Sequence, residues 1–325
     1  MTTLRHSSRL TSGSGRRLLS ADRLFRGGSG VFAFGVIVLL GAIGLLLFVS
    51  SIPTWRAFGL SFITSTVWNP VTSVYGALPF IVGTLETSFI ALLLAAPIGL
   101  LTAIFLAELA PRRISVPVSF LIELLAAIPS VVIGLWGVYV LSPFLRGTIE
   151  QWVTSTIGKV VPFLAGPSFG VGIFAAGVIL AIMILPTIVS ISREVITAVP
   201  NNQREAMLAL GATRWETVTK AVIPFARSGI IGAIILGLGR ALGETMAVTM
   251  VIGNSTHIPT GLFDQGQTIS SQIATTFNEA AIGLQTSALI TLGFILLVMT
   301  ISLNIVARIL VRRVAGDGVG QATGG

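Results

Sequence analysis

The feature that constrains this chain most is a series of long apolar runs, each about as long as a membrane is thick. Spans are expected at residues 30–52, 77–109, 116–142, 171–191, 228–252 and 285–308. A helix of about 20 apolar residues crosses a hydrocarbon core of ~30 Å. Composition agrees, because 53% of the residues are hydrophobic and only 10% are charged. The sequence therefore predicts an all-α, polytopic protein with about six transmembrane helices in a lipid bilayer.

The distribution of charge predicts how these spans are oriented. The chain has 20 Lys and Arg, and its formal net charge is +8. Sixteen of those 20 fall in the N-terminal tail and in alternate segments on one side, whereas Arg56, Arg146 and Lys159 fall on the other. An excess of basic residues marks the cytoplasmic side, so both termini are expected to be cytoplasmic. The arginines flank apolar runs and form no single basic face, which argues against a nucleic-acid partner.

Composition also predicts the limits of the membrane domain. Residues 1–28 are rich in Ser, Gly and Arg and are expected to form a flexible basic cytoplasmic tail. The transmembrane domain is expected at 29–314, with a core of five spans at about 77–308, and a second flexible tail at 315–325. The first apolar run is too long for a signal-peptide core, so we expect it to remain as a membrane helix.

The longest cytoplasmic segment, about 199–225, carries the local signals of two short helices joined by a tight turn. A cap-like pair begins the first helix, a glycine follows its end, a capping box begins the second helix, and a proline is expected to end it. The residues that carry these signals are Asn202, Glu205, Gly211, Thr213, Glu216 and Pro224. A structured, charged loop of this kind favours a partner that grips it. A surface hairpin without a partner is the alternative.

Four ionisable residues fall inside the predicted spans: Glu86, Glu123, Arg240 and Glu244. Each costs about 2.5–3.5 kcal/mol at a helix centre, so a partner or a water-filled path is expected. Arg240 is placed near the middle of span five, with Glu244 one helical turn further on the same face. A guanidinium offers paired donors to a tetrahedral oxyanion. The two residues are thus candidates for an anion pathway, and an internal ion pair that only packs the helix is the alternative.

Prolines interrupt three of the spans, at Pro97, Pro129 and Pro186. Each proline removes a backbone donor and tends to kink a helix. Kinks of this kind can surround a central cavity in a bundle, and they also occur in bundles that transport nothing.

The cytoplasmic segment resembles a loop found in one family of transporters. Glu205-Ala206-Met207, Gly211 and the ending Ile223-Pro224 resemble the "EAA" loop of binding-protein-dependent ABC importer permeases. The resemblance implies a type I ABC importer architecture in which the short helices lodge in a groove of a separate ATPase subunit.

Longer segments of the sequence resemble one particular group within this family. Residues 75–97, 122–137, 166–186 and 236–254 (LGLGRALGETMAVTMVIGN) are similar to the PstC-type permeases of phosphate-specific ABC transporters. The resemblance implies a heterodimer with a PstA-type permease, a cytoplasmic ATPase dimer and an extracytoplasmic phosphate-binding protein, in a prokaryotic plasma membrane. It also implies that Arg240 and Glu244 lie on the phosphate path. Glu123 and Glu86 are further candidates for that path.

The residues that are missing restrict the chemistry of this chain. There is no GxxxxGK[ST] loop and no cysteine, and both histidines, His6 and His257, lie outside the predicted spans. We therefore expect no metal, no bound cofactor and no enzyme activity here, with ATP used by the partner subunit. An importer of another oxyanion, such as sulfate or molybdate, remains open, as does a passive channel or scaffold. An intramembrane enzyme would need a nucleophile–base pair, a carboxylate pair or metal ligands that these spans do not offer.

Overall fold

The computed structural model describes residues 14–319 of the chain, and residues 1–13 and 320–325 lie outside the description. Side chains are described for Phe25 and for residues 27–309. Within this part the chain is helical and has two isolated β-bridges, Asn69 with Val74 and Gly253 with Gly266, in place of any strand. This confirms the all-α prediction.

Ten helices of six or more residues, numbered here in chain order, occur in the described part of the chain. They are α1 (Ser14–Phe58), α2 (Leu78–Leu109), α3 (Arg112–Ala127), α4 (Ser130–Lys159), α5 (Ile173–Thr197), α6 (Asn201–Ala209), α7 (Arg214–Gly243), α8 (Met246–Val251), α9 (Ile269–Thr276) and α10 (Leu284–Val319). Helices α2, α4 and α7 contain widened π turns.

Six of these helices are long and apolar enough to cross a membrane, as the sequence predicts. They are α1 from Gly27, α2, α4, α5, α7 and α10 to Ile309. Helix α5 is the most buried of the six, with two-thirds of its most apolar stretch covered by protein. Helices α2 and α7 pack along it. Two of the three clusters of buried apolar residues therefore include α5, and most of the other spanning helices expose apolar side chains, which suits contact with lipid.

The contacts divide the chain into two compact units, residues 1–49 and 50–325. The described part of the first unit is the stretch of α1 up to Val49, which exposes large apolar side chains such as Phe32, Leu39 and Leu46. The expected tail at 1–28 is described only from Ser14, and from there its backbone is already helical. Likewise, α10 continues to Val319, past the expected end of the transmembrane domain.

The third span differs from its prediction at 116–142. Helix α3 stops at Ala127, the backbone is extended at Ile128 and Pro129, and α4 begins at Ser130. The ring of a proline disfavours helical backbone in the residue before it, so a break at this place follows from Pro129. The expected kink is therefore a break, and the helix after it continues to Lys159 instead of ending near residue 142.

The fifth span also differs from its prediction at 228–252. Helix α7 begins at Arg214, ends at Gly243, and is followed by extended backbone at Glu244. The short helix α8 then runs from Met246 to Val251 and packs against the first turns of α4. A Cβ on Gly134 would lie 2.7 Å from Met250 Sδ and 3.0 Å from Ala247 Cα, so glycine allows the two helices to lie this close.

Candidate functional site

Arg240 lies in the last turn of α7, next to the middle of the central helix α5. Its Nη1 atom donates a hydrogen bond to Thr187 Oγ1 at 3.3 Å, and Thr187 lies near the middle of α5. One turn earlier, a Cβ on Gly237 would lie 3.0 Å from Ile188 Cγ1, so the two helices are in close contact at this level. The side chain of Arg240 is otherwise exposed. The structure thus places a cation level with the middle of α5, although the span predicted around it at 228–252 ends at Gly243, three residues after it.

Glu244 does not occupy the position predicted for it. The prediction placed it one turn from Arg240 on the same helical face, but α7 ends at Gly243. The main-chain oxygen of Glu244 accepts a hydrogen bond of 2.7 Å from Ser270 Oγ, and its Oε1 atom lies 3.5 Å from the Ala247 nitrogen at the start of α8. Among the described residues no ion pair joins Glu244 to Arg240. The prediction of a shared helical face is therefore wrong, and Arg240 lacks the carboxylate partner foreseen for it.

Two helix breaks border this part of the bundle. The breaks at Ile128–Pro129 and Glu244–Thr245 each come within two turns of the contact between α4 and α8. An apolar cavity of about 300 Å³ adjoins the first break, lined by Leu125, Ile128, Val132, Ile133, Trp136 and Ile182. Non-helical backbone at membrane depth needs protein or water beside it, because lipid cannot satisfy its polar groups.

The other two predicted carboxylates lie in different places. Glu123 on α3 lines a small cavity with Arg193 and Glu194 of α5, at the end of the bundle that carries α6. Glu86 on α2 is half-buried and close enough to Asp264 to interact with it electrostatically. In the described part of the chain neither carboxylate forms a hydrogen bond or ion pair with Arg240. The four candidates therefore do not form one cluster.

Asp264 is held by a short loop at the end of the bundle opposite α6. Its Oδ2 atom accepts hydrogen bonds from the Thr260 nitrogen and Oγ1, both at 2.9 Å, and from the Gly261 nitrogen at 2.8 Å. Burial alone raises the pKa of this carboxyl group, but the three hydrogen bonds outweigh it, and the net pKa lies below the ordinary value.

This lowered pKa predicts a pH dependence. The ionised Asp264 stabilises the loop at any pH above the unfolded pKa of about 3.9, and that stability is lost as pH falls through the lower, folded pKa. We expect Asp264→Asn to lower the thermal unfolding midpoint of the detergent-solubilised protein at pH 7. The gap between parent and variant should narrow below about pH 4. A gap that stays constant down to pH 3 would contradict the assignment.

The segment at 199–225 folds as a helical hairpin, with two differences from the prediction. Pro200 precedes α6 in the cap position, so Asn202 lies inside the helix and is not its cap. Gly211 follows the helix with φ +82°, and the capping box of Thr213 and Glu216 begins α7, as predicted. Pro224 does not end the second helix. The π turn at Val218–Val222 accommodates the proline, and the helix continues into the bundle.

Arg204 fixes this hairpin to the bundle, and sequence reasoning missed it. Its Nη2 atom lies 2.6 Å from Glu108 Oε1 at the end of α2, and both side chains are mostly buried. The same guanidinium donates to the main-chain oxygen of Ile196 at 2.9 Å and to that of Val199. One arginine therefore joins α6 to the ends of α2 and α5. Glu108 and Arg204 are 96 residues apart, and no local pattern links them.

The hairpin also exposes apolar side chains away from the bundle. Leu208 is 50% exposed, Leu210 is 85% exposed and Trp215 is 58% exposed. Glu205 and Ala206 lie on the same short helix and are also exposed. Large apolar side chains grouped with charges on a rigid projection indicate a surface that another protein covers.

Within the described residues there is no group of three or more His, Cys, Asp or Glu side chains that could hold a metal ion.

The fold and these residues define a class of transport protein. Residues 95–316 match the family described as "Binding-protein-dependent transport system inner membrane component". That match covers more than half of the chain, so the chain belongs to this family and is a multi-pass membrane protein.

Individual relatives of the chain belong to a narrower group of transport proteins than the family as a whole. The chain is 46% identical over 302 residues to a phosphate transport system permease protein PstC from Mesorhizobium japonicum, covering 92% of each chain. It is also 46% identical over 296 residues to the PstC protein of Pasteurella multocida, covering 90% of this chain and 92% of the relative.

Solved structures with the same fold are importer permeases. The inward-facing MetNI methionine ABC transporter matches with a TM-score of 0.54 and 20% identity, covering 71% of this chain and 93% of that one. A bacterial alginate ABC transporter in complex with its pentasaccharide-bound periplasmic protein matches with a TM-score of 0.54 and 17% identity, covering 94% and 98%. At these identities the likeness establishes the fold, which is the type I importer permease architecture.

Proposed function

We propose that this chain is the membrane-spanning permease subunit of an ATP-driven importer of inorganic phosphate. The observation that carries the proposal is the 46% identity to PstC phosphate permeases along 92% of the chain. The position of Arg240 supports it, because a guanidinium at mid-bundle gives a tetrahedral oxyanion paired charged donors. Burying an anion without such a partner is costly.

The proposed complex contains several other proteins. A PstA-type permease completes the path as a heterodimer, a binding protein delivers phosphate from outside, and a dimeric ATPase lies on the cytoplasmic side of a prokaryotic plasma membrane. Both termini and α6 are proposed to be cytoplasmic, because that side holds sixteen of the 20 basic residues. ATP is hydrolysed by the separate subunit, since this sequence has no phosphate-binding loop.

The hairpin is proposed to couple ATP hydrolysis by the separate subunit to phosphate transport through this chain. Its exposed residues Leu208, Leu210 and Trp215 are the surface proposed to contact the ATPase, beside Glu205 and Ala206. Because Arg204 ties α6 to α2 and α5, movement of the ATPase is transmitted to helices that line the bundle. Access to Arg240 then alternates between the two sides of the membrane.

The proposal is tested by phosphate uptake into proteoliposomes that hold the full complex, with the binding protein outside and ATP inside. We expect radiolabelled phosphate to accumulate only with ATP, and an excess of sulfate or molybdate to leave the rate unchanged. Competition by either anion would assign a different oxyanion as substrate. Uptake without ATP would instead support a passive channel and overturn the importer.

A further inference from the structure

The second half of α5 carries a polar stripe that leads away from Arg240. Its members are Thr187, Ser190, Arg193, Glu194 and Thr197. At 3.6 residues per turn these five positions fall within an arc of about 120° on one side of the helix. Ile188, Val189 and Ile196 on the other side are buried in the core. Polar residues on a membrane helix face a bundle interior or a water-filled cavity, so the stripe marks a wet face of α5.

The stripe begins at Arg240 and ends at the α6 end of the bundle. Thr187 accepts the hydrogen bond from Arg240 Nη1. Arg193 lies six residues further along α5, which is about 9 Å along the helix axis at 1.5 Å per residue. A second guanidinium therefore lies further along α5, at the other edge of the polar stripe.

Arg193 lies where two cavities meet. The narrower one, about 30 Å³, is lined by Arg193 together with polar residues of α3 and α5, namely Ser119, Glu123, Ser190 and Glu194. The wider one, about 390 Å³, is lined by Arg193, Glu194, Thr197 and Ala198 at the end of α5. Arg193 and Glu194 are the residues that border both. The guanidinium thus lies between a space the size of one water molecule and a wide cleft.

The surroundings of Arg193 contain carboxylates that do not neutralise it. Among the described side chains no carboxylate lies within ion-pair distance of Arg193, although Glu123 and Glu194 line the same cavity. Arg204, by contrast, is fully engaged by Glu108 and two main-chain oxygens. A half-buried guanidinium with free donors can accept an oxyanion. Carboxylates beside it repel the same anion and prevent tight retention.

We propose that Arg193 is a second oxyanion-binding residue on the path, reached after Arg240 and before release at the α6 end. This inference rests on the proposed function and adds a residue to it. Arg193 offers a further cation to an anion that leaves Arg240, about 9 Å beyond Thr187 along the axis of α5. Glu123 and Glu194 beside it favour release.

The test compares Arg193→Gln and Arg193→Lys with the parent complex in proteoliposomes, and Arg113→Gln serves as the matched control. Arg113 lies in the exposed first turn of α3 and loses the same charge. We expect Arg193→Gln to reduce the initial rate of ATP-dependent phosphate uptake about tenfold, the order of effect expected for one lost charged hydrogen-bond partner. Arg193→Lys should retain most of the rate, and Arg113→Gln should match the parent.

Inhibition of uptake by internal phosphate distinguishes an effect on phosphate binding from an effect on folding. Phosphate enclosed inside the vesicles should inhibit uptake by the parent, and Arg193→Gln should need about ten times more internal phosphate for the same inhibition. Glu123→Gln should need less, because a repelling carboxylate is gone. An unchanged rate and inhibition curve in Arg193→Gln, or equal loss in Arg113→Gln, would overturn the proposal. A parent complex that takes up no phosphate would overturn the proposed function instead.

Discussion

Replacing Arg240 with glutamine is expected to reduce ATP-dependent phosphate uptake by roughly 10- to 100-fold, because a hydrogen bond to a charged group contributes about 1.5–3 kcal/mol. The variant leaves the close packing of Gly237 of α7 on Ile188 of α5 in place, so the contact between the two helices is preserved. The charge at mid-bundle is what disappears. Initial uptake rates in proteoliposomes of the parent and variant complexes measure the effect.

Two companion variants sharpen this prediction. Arg240→Lys keeps the charge but loses the planar pair of donors, so its rate of phosphate uptake should lie between those of the parent and Arg240→Gln. Glu244→Gln should have a smaller effect than Arg240→Gln, since Glu244 is directed toward α8 and does not pair with the arginine. Uptake by Arg240→Gln within about twofold of the parent would assign Arg240 to packing alone.

Glu108→Gln is expected to weaken both the fold and the attachment of the ATPase. Removing one partner of a buried ion pair costs about 3–5 kcal/mol because the other charge stays behind uncompensated. The exposures of 18% for Arg204 and 12% for Glu108 suggest the lower end of that range. Thermal unfolding of the purified chain should show a lower midpoint. Co-purification with the ATPase should decrease, because α6 loses its tie to α2.

The chain provides a matched control for this second prediction in Lys220→Gln. Lys220 pairs with Glu216 at 3.3 Å, but the pair is exposed, at 65% and 42%. Exposed pairs at this spacing contribute about 0.3–0.5 kcal/mol, so the unfolding midpoint and ATPase binding should hardly change. If Glu108→Gln behaved like Lys220→Gln in both assays, the buried pair would not be what positions α6.

The features that sequence predicted correctly are those whose causes are local. The number of spanning helices follows from the length of each apolar run, and the capping box of Thr213 and Glu216 needs only residues three apart. Pro129 gave a signal for the break in the third span, since the residue before a proline avoids helical backbone.

The features that sequence missed depend on distant contacts. The end of α7 at Gly243 is accompanied by a hydrogen bond from Ser270 to the Glu244 main-chain oxygen, across 26 residues. An unbroken helical pattern through that region therefore gave the wrong partner for Arg240. The pair of Glu108 and Arg204 is likewise invisible until the ends of α2 and α6 meet. Arg193 looked like an ordinary flanking charge, and only the cavities beside it suggest a different role.

The close packing of α8 on α4 has a mechanical consequence. Gly134 and Gly137 let these two helices meet with almost no space between them, so a displacement of α8 is passed directly to α4. Gly137 also lies against Ile179 of α5, so the pair is packed on the central helix as well. The backbone is extended before α4, at Ile128–Pro129, and before α8, at Glu244. Changes of dihedral angle at such residues accommodate small sliding movements of packed helices. Glu244 lies one helical turn after Arg240, so a movement of this kind changes what surrounds the arginine.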